Sequence, residues 1–444
     1  MTSRSASFLA LLLAAGCGPR PAIVEFDVAP VVRTPCGLAP QVPSSIKQGS
    51  TTRIPLQPTR SDQTFRVVTL PAGTEAELDG DTLVYLAGYE TLGAQAVVEL
   101  EVTCEGKTQT TAIRLPVEQA LRWGPSMTWA AGAGPEAREH TQLFIDPRDP
   151  DTLWLFGGFG FVPAQFTVIN DLWKMNLVTG AWTKVETTGA PMIAGARLAP
   201  SSTPGVWYLL GGQAQGQNVL DDVWRVDVTQ QPVRFEKLAP MGTSPTTTLH
   251  TVVIDAARNR LVSFGGFTGN AVSNDVDTLS LSEPLTWQRQ PAQPTRPVPR
   301  YGFFATVDED QLIVFSGAQW PTATNPVNPI GDTWALNLST LAWTKIAEPT
   351  PDAPARRNGC SALDPVTHRF FVWGGTPDAS SSVPGLSMLD LSKRPAQWHR
   401  VTLANPAHVR SSCSAIYDAP RRRILFGFGN DDDVYADFQV LQLD

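Results

Sequence analysis

The chain of 444 residues has few charged side chains, few histidines and no long amphipathic helical pattern. Charged residues make up 17% of the sequence, and the formal net charge is -8. Because no cluster of Lys and Arg is dense enough to hold a phosphate backbone, nucleic acid is not an expected partner. The five histidines form no HExxH or other paired motif, and no CxxC occurs. The sequence therefore predicts neither a metal site nor a cofactor.

Cysteine is also scarce, with five residues, and the first of them ends a segment that has the features of a signal peptide. Arg4 gives a weakly positive start and Phe8 to Ala15 an apolar stretch, so residues 1–17 are predicted to direct export. Leu13-Ala14-Ala15-Gly16-Cys17 resembles the bacterial lipobox, which implies lipidation of Cys17. Ala14 stands where the lipobox prefers Leu, and ordinary signal cleavage is the alternative. Gly18 favours the outer membrane as the location of the anchored protein.

The other four cysteines are Cys36, Cys104, Cys360 and Cys413. An even number of cysteines in an exported protein predicts disulfide bonds. The sequence alone allows three pairings. Pairing within domains, Cys36 with Cys104 and Cys360 with Cys413, is favoured. For the second pair, free buried thiols are the alternative, because the inner strands of neighbouring repeat units can stand too far apart for a disulfide.

The residues that are abundant are glycine and proline, with 35 and 38 copies, and they separate short apolar stretches. This pattern is typical of turn-rich all-β folds. An aromatic residue also recurs every 52 to 56 residues, which divides most of the chain into six units. These aromatic residues are Trp129, Trp182, Phe235, Trp287, Trp343 and Trp398.

Each unit continues through a Pro-rich stretch, a short strand, and a second strand that closes on a glycine pair or its near equivalent. The second strands are LWLFGGFG, WYLLGG, LVSFGG, LIVFSG, FFVWGG and ILFGFG. This order resembles the kelch repeat. The resemblance implies a six-bladed kelch-type β-propeller over residues 121–444, in which the strand around Trp129 completes the last blade and closes the ring.

The region before the repeats is predicted to contain a tether and a second, smaller all-β domain. Residues 18–45 are Pro-rich and are interpreted as an extended tether. Residues 46–120 are predicted to form a small immunoglobulin-like or cadherin-like β-sandwich. Its predicted strands are Arg53 to Leu56, Phe65 to Leu70, Thr82 to Leu86, Ala96 to Cys104 and Thr110 to Val117, with a hairpin turn at residues 104–107.

One face of the predicted propeller carries long loops, at residues 159–169, 317–331 and 375–386, and recognition sites usually lie on such loops. Trp320 in the second loop is a candidate for stacking on a sugar ring, or for folding back onto its blade. The Pro-rich connections on this face carry arginines that either ring the channel mouth for an acidic ligand or bond to carbonyls between blades. These arginines are Arg138, Arg197, Arg300, Arg357 and Arg410.

The sequence favours a non-catalytic surface or periplasmic binding scaffold for a protein or an anionic glycan, acting as a monomer. The alternative is a secreted carbohydrate-active enzyme of the kelch-propeller type, such as a sugar epimerase or oxidase. No set of nucleophile, base and orienting group is recognisable, and a His or Glu beside Arg300 would be needed to support an epimerase. The acidic run Asn430 to Asp433 is interpreted as turn caps rather than a cation site.

Overall fold

The computed structural model describes residues 36–71, 73–89, 95–161, 166–216, 218–321, 328–377 and 382–443. The predicted signal peptide, Cys17 and residues 18–35 of the predicted tether lie outside these ranges. The described chain consists of β-strands with two single 3-10 turns, Ala256–Arg258 and Ala419–Arg421. None of its helical segments is long and apolar enough to cross a membrane. The prediction of an all-β protein is confirmed.

The first part of the chain forms two small sheets. One has the strand order β1-β7-β6-β3 and the other the order β2-β5-β4. The strands are β1 (Ile46–Lys47), β2 (Thr51–Pro55), β3 (Thr64–Thr69), β4 (Glu75–Asp79), β5 (Thr82–Leu86), β6 (Gln95–Cys104) and β7 (Lys107–Glu118).

The two sheets share one core because their strands alternate between buried and exposed side chains. Val98, Leu100 and Val102 on β6 are fully buried, and Ile54 and Leu83 of the other sheet belong to the same hydrophobic cluster as Val98 and Leu100. The turn between β6 and β7 has positive φ angles at both central residues, Glu105 and Gly106, as a two-residue hairpin requires.

The rest of the chain begins with β8 (Leu121–Trp123) and β9 (Met127–Thr128) and then builds six successive sheets in its described part. Sheet 1 contains β10 (Arg138–Glu139), β11 (Gln142–Ile145), β12 (Thr152–Phe161), β13 (Phe166–Asn176) and β14 (Trp182–Val185). Sheet 2 contains β15 (Thr187–Thr188), β16 (Arg197–Pro200), β17 (Val206–Leu210), β18 (Val223–Asp227) and β19 (Val233–Leu238).

The next four sheets repeat this antiparallel order, and together the sheets form a β-propeller. Sheet 3 contains β20 (Thr251–Asp255), β21 (Arg260–Phe267), β22 (Val272–Ser280) and β23 (Thr286–Arg289). Sheet 4 contains β24 (Phe304–Asp308), β25 (Gln311–Phe315), β26 (Thr333–Asn337) and β27 (Trp343–Ala347). Sheet 5 contains β28 (Cys360–Asp364), β29 (Arg369–Trp373), β30 (Leu386–Asp390) and β31 (Gln397–Val401). Sheet 6 contains β32 (Ser414–Asp418), β33 (Arg423–Gly427) and β34 (Asp437–Leu443).

Sheet 6 is completed by strands from the start of the repeat region. β34 pairs antiparallel with β8 and with β9, so Leu441 faces Trp123 and Phe438 faces Met127. Trp129 follows β9 and packs edge-on against Trp182 of sheet 1, with 5.2 Å between ring centroids. The outer strand of the last sheet therefore comes from residues that precede the first sheet, which leaves β34 without a free edge.

The glycine pairs after the second strands hold neighbouring sheets together. Both members of each pair have positive φ, including Ser316 and Phe428 where the sequence departs from glycine. In five of the six pairs the second member donates its N–H to a carbonyl of the next sheet, as Gly375 does to Arg410 at 2.8 Å and Gly429 to Arg138 at 2.8 Å. The second of these bonds joins sheet 6 to sheet 1.

Replacing Gly374 by alanine should destabilise the repeat region far more than the same change at Gly385. Both glycines have positive φ, but a Cβ at Gly374 would lie 1.9 Å from the carbonyl oxygen of Arg410, while a Cβ at Gly385 meets no atom within 4 Å. We expect Gly374→Ala to cost about 2 kcal/mol more than Gly385→Ala in urea unfolding, because only the first forces two backbones apart. Equal losses of unfolding free energy in the two variants would contradict the close approach of Gly374 to the carbonyl of Arg410.

Two disulfides are present. Cys36 and Cys104 join the start of the described chain to β6, with 5.9 Å between their Cα atoms. Cys360 and Cys413 join the innermost strand β28 to the residue before β32, and their Cα atoms are 5.3 Å apart. Both predicted disulfides are therefore confirmed, and neighbouring inner strands are close enough for the second.

Candidate functional site

The innermost segment of each sheet pairs with the residues that follow its second strand, beyond the glycine pair. We call these pairs the channel rim: Glu139 with Phe159, Ala194 with Gln213, Thr248 with Phe267, Tyr301 with Ala318, Arg357 with Thr376, and Ser411 with Asn430. The predicted loop 159–169 is in part an extension of β12 and β13, which pair from Phe159 with Val168 to Phe161 with Phe166.

The five predicted arginines do not occupy equivalent positions in the sheets. A residue with positive φ precedes each innermost strand, namely His140, Gly195, Leu249, Gly302, Asn358 and Ser412. Two positions earlier in each sheet stand Arg138, Ile193, Thr247, Arg300, Arg356 and Arg410. Arg197 therefore lies four residues further along than the equivalent of Arg138, and Arg357 lies one residue further along. The prediction that the five arginines form a single ring is therefore corrected, because Arg197 and Arg357 lie at other positions than the remaining three.

Three of the predicted arginines are buried in ion pairs. Each pairs with an aspartate at an equivalent position in or next to the third strand of its own sheet: Arg138 with Asp171, Arg300 with Asp332 at 2.8 Å, and Arg410 with Asp437 at 2.6 Å. Their exposed fractions are 0–1%.

These guanidinium groups also bond to the backbone. Arg300 donates to the carbonyl of Ser316 at 3.0 Å, at the start of the glycine-pair segment. Because Arg300 is fully buried, its guanidinium is not exposed to a ligand. The three arginines hold the second and third strands of a sheet to the segment that precedes its first strand.

Arg356 occupies the same position in sheet 5 but lacks an acidic partner. Gly385 stands where the other sheets have aspartate, and Arg356 donates instead to the hydroxyl of Ser387 at 2.6 Å. Burial lowers the pKa of Arg356 to about 9.

On the rim, an arginine and three aromatic residues form a continuous row, which we call the aromatic row. The guanidinium of Arg357 lies over the ring of Tyr301 at 5.2 Å, and Tyr301 is 6.0 Å from Phe267. Trp320 stacks on Phe267 at 6.0 Å with an interplanar angle of 20° and keeps 48% of its surface exposed. The structure combines the two interpretations of Trp320, because the ring folds back onto Phe267 and also remains exposed.

A cavity of about 510 Å³ opens beside Trp320. Side-chain amides of Asn270, Gln319 and Asn328 line it together with small apolar groups. Planar amides beside an exposed indole can donate to and accept from hydroxyl groups while the ring covers an apolar face. This cavity and the aromatic row form the candidate binding surface.

Arg197 lies apart from the rim, at the start of the innermost strand β16. Its Nε donates to the carbonyl of His250 in sheet 3 at 2.8 Å. Burial lowers the pKa of Arg197 to about 10, and burial together with the charge of Arg197 lowers the pKa of His140 and of His250 to about 3. Arg197 and His140 are surrounded by protein but retain partial solvent access, which is the situation of side chains that line a narrow channel.

The acidic run is occupied by contacts within the protein. Asp431 lies 3.3 Å from His408, and its N–H donates to the carbonyl of Asp433. Asn430 bonds to Ser411 and to the carboxylate of Glu139, which joins sheet 6 to sheet 1 at the rim. Among the described residues, no group of three or more His, Cys, Asp or Glu side chains is placed to hold a metal ion.

Comparison with known proteins decides the nature of the repeats. The family model described as the KLHDC2/KLHL20/DRC7 Kelch-repeats domain matches residues 208–363. Kelch domain-containing protein 10 of Mus musculus is 23% identical over 339 residues, which are 69% of this chain and 73% of the relative. This chain contains kelch repeats.

Other known proteins match different shares of the chain. Acyl-CoA-binding domain-containing protein 4 of Arabidopsis thaliana is 26% identical over 187 residues, which are 42% of this chain and 26% of the relative. The chain thus spans about a quarter of that relative's length. The solved structure of YjhT is 17% identical, covers 74% of this chain and 97% of its own, and superposes with a TM-score of 0.48.

Three residues that shape the site were not predicted from the sequence: Phe267, Tyr301 and Arg356. Phe267 ends β21 and Tyr301 lies in the connection before β24, and no spacing rule predicts that they stack between Trp320 and Arg357. Arg356 directly precedes Arg357 in the sequence. The doublet was a signal that one of the two is structural, but only the φ angle of Asn358 shows which one.

Proposed function

We propose that the protein is a non-catalytic binding scaffold in which a six-bladed kelch propeller presents its rim and long loops to an anionic glycan or a protein partner. An immunoglobulin-like sandwich precedes the propeller. The observation that carries the proposal is the aromatic row, which leads from the exposed indole of Trp320 to the partly exposed guanidinium of Arg357.

The chemistry of this surface suits a ligand that has both an apolar face and a negative charge. Trp320 is held in place by Phe267, so little conformational entropy is lost when a ring stacks on it. The guanidinium of Arg357 is partly exposed and can donate to a carboxylate. The amides beside Trp320 add donors and acceptors for hydroxyl groups.

Two further parts of the proposal concern location and oligomeric state. The chain is exported and anchored through a lipidated Cys17, with the outer membrane as its site, and it acts as a monomer. The support for anchoring is the sequence of residues 1–17 and the glycine at position 18. The two disulfides agree with an oxidising compartment.

We expect Trp320→Ala and Arg357→Gln each to weaken binding of a hexuronate-containing glycan at least about tenfold, which corresponds to ~1.4 kcal/mol. Trp320→Phe should retain part of the affinity, because it keeps a ring on Phe267. The measurement is binding of the purified protein to immobilised acidic and matched neutral oligosaccharides.

The control is Arg225→Gln, since Arg225 lies on the third strand of sheet 2, away from the aromatic row. If acidic glycans bind equally well to all variants, the aromatic row is not the site. If no glycan binds but a protein captured from envelope extract depends on Trp320, the partner is a protein. If neither form of binding depends on Trp320 or Arg357, the proposed function is overturned.

A further inference from the structure

The wall of the central channel contains a cation without an acidic partner. Arg197 donates to the carbonyl oxygens of His250 at 2.8 Å and Ala196 at 3.4 Å. Within the described residues, no carboxylate lies within ion-pair distance of its guanidinium. A cation that is largely surrounded by protein and has no counter-ion is unfavourable, so this arrangement favours an anion from outside the chain.

Two other sheet boundaries fill the corresponding place with groups that satisfy each other. Arg197 lies two residues after the positive-φ residue of sheet 2, and His250 lies one residue after that of sheet 3. At the same two positions, Cys360 and Cys413 form a disulfide, and the hydroxyls of Ser414 and Thr141 lie 3.0 Å apart. The boundary between sheets 2 and 3 instead places a cation against a histidine.

His250 is the second unsatisfied group at this place. It is 2% exposed, and neither of its ring nitrogens has a hydrogen-bond partner. Because its pKa is about 3, the ring is neutral at physiological pH and carries one N–H donor and one acceptor nitrogen. A buried imidazole with no partner is rare in a folded protein, since the unmade bonds destabilise it.

The backbone is also incomplete here. Around the other boundaries, the positive-φ residues are joined by N–H to carbonyl bonds: Gly302 to Leu249, Asn358 to Gly302, Ser412 to Asn358, and His140 to Ser412. No such bond joins Gly195 to His140 or Leu249 to Gly195, and the carbonyl of Gly195 accepts instead from the hydroxyl of Thr248 at 3.2 Å. The gap in this ring coincides with the place of Arg197 and His250.

We propose that a small oxyanion, the carboxylate or phosphate group of a small ligand, binds in the central channel against Arg197, with an N–H of His250 as a further donor. A planar guanidinium matches both groups through two parallel hydrogen bonds. His140, half-buried and on the adjacent sheet, borders the same space. This site is separate from the aromatic row and goes beyond the proposed function.

The proposal is tested by titrating the purified full chain with inorganic phosphate and, separately, with acetate, at an ionic strength held constant with chloride. Saturable binding should shift the side-chain ¹H–¹⁵N signals of His250, while the signals of His368, His399 and His408 stay in place. In Arg197→Gln the dissociation constant of the effective oxyanion should rise at least tenfold. Arg234→Gln, which changes an exposed arginine of sheet 2, should bind like the parent.

The two arms separate the chemistries, because a phosphate response without an acetate response assigns the site to phosphate, and the reverse assigns it to carboxylate. The proposal is overturned if neither oxyanion shifts His250 in the parent, a result that does not depend on the variant folding. It is also overturned if Arg197→Gln, folded, binds as tightly as the parent. Neither outcome bears on binding at Trp320, which is measured with glycans.

Discussion

Arg300→Ala should lower the free energy of unfolding of the repeat region by about 3–5 kcal/mol, because it leaves Asp332 in the interior without a cation. The guanidinium is fully buried and lies 2.8 Å from the carboxylate, whose side chain is 12% exposed. The second oxygen of Asp332 accepts from the indole of Trp334 at 2.8 Å, so the carboxylate is held in one place and cannot turn to solvent.

The loss of unfolding free energy in Arg300→Ala should depend on pH in a defined direction. Burial alone would raise the pKa of Asp332, but the hydrogen bond and charge of Arg300 outweigh it and hold the pKa below its usual value. A lowered pKa in the folded state gives stability that is present above the unfolded pKa of about 4 and is lost as the pH falls through the folded pKa. The parent should therefore lose stability on acidification, and Arg300→Ala should lose less.

Arg356→Met is the matched control, because Arg356 holds the same position in a sheet that has Gly385 in place of the aspartate. Removing this guanidinium leaves no carboxylate uncompensated, so the expected loss is under about 1.5 kcal/mol. Urea unfolding followed by tryptophan fluorescence measures both variants, and since all 13 tryptophans lie from Trp123 onward, the signal reports the repeat region alone. Similar losses of unfolding free energy in the two variants would show that the missing partner of Asp332 is not the cause of the loss in Arg300→Ala.

The repeats could be predicted from sequence because their strands follow from short-range patterns. The apolar run that ends in a glycine pair appears once per unit, and the predicted strand at 370–375 corresponds to β29 at Arg369–Trp373. In the small domain, β5 at Thr82–Leu86 was predicted with its observed bounds. β4 at Glu75–Asp79 was not, because its sequence EAELD has low strand propensity and only pairing with β5 makes it a strand.

The register of the arginines could not be predicted for a different physical reason. It depends on which residue adopts a left-handed backbone before the innermost strand, and these residues include His140, Leu249 and Ser412, which share no side-chain property. Glycine or asparagine would have been a recognisable signal, whereas leucine with positive φ is held there by its surroundings. Without that register, structural arginines and accessible arginines look alike in the sequence.

Contacts between sheets were harder still to predict from the sequence, because they join residues that are one full repeat apart. Arg197 and His250 are 53 residues apart, and so are Cys360 and Cys413. The cysteines could be paired because an exported protein with an even number of them predicts bonding, while nothing in the sequence pairs an arginine with a histidine. The contact between Cys360 and Cys413 shows that this distance in sequence corresponds to direct contact across a sheet boundary.

Removing the disulfide between Cys360 and Cys413 should therefore have a large effect on the repeat region. The bond closes a loop of 53 residues, for which the loss of unfolded-chain entropy corresponds to about 4 kcal/mol in the chain-entropy description. It joins sheet 5 to sheet 6, next to the boundary where sheet 6 meets sheet 1. We expect the double variant Cys360→Ala, Cys413→Ala to unfold at lower urea concentration by tryptophan fluorescence, under non-reducing conditions.

The matched control is the double variant Cys36→Ala, Cys104→Ala, which removes a bond of similar loop length, 68 residues, from the small domain. Because that domain contains no tryptophan, its loss should leave the tryptophan transition in place while far-UV dichroism changes. If both double variants shift the tryptophan transition equally, the two domains unfold as one unit and the effect cannot be assigned to the sheet boundary. If neither shifts it, the Cys360–Cys413 bond contributes nothing to holding the sheets together, and the contacts of the glycine pairs with the next sheet are sufficient.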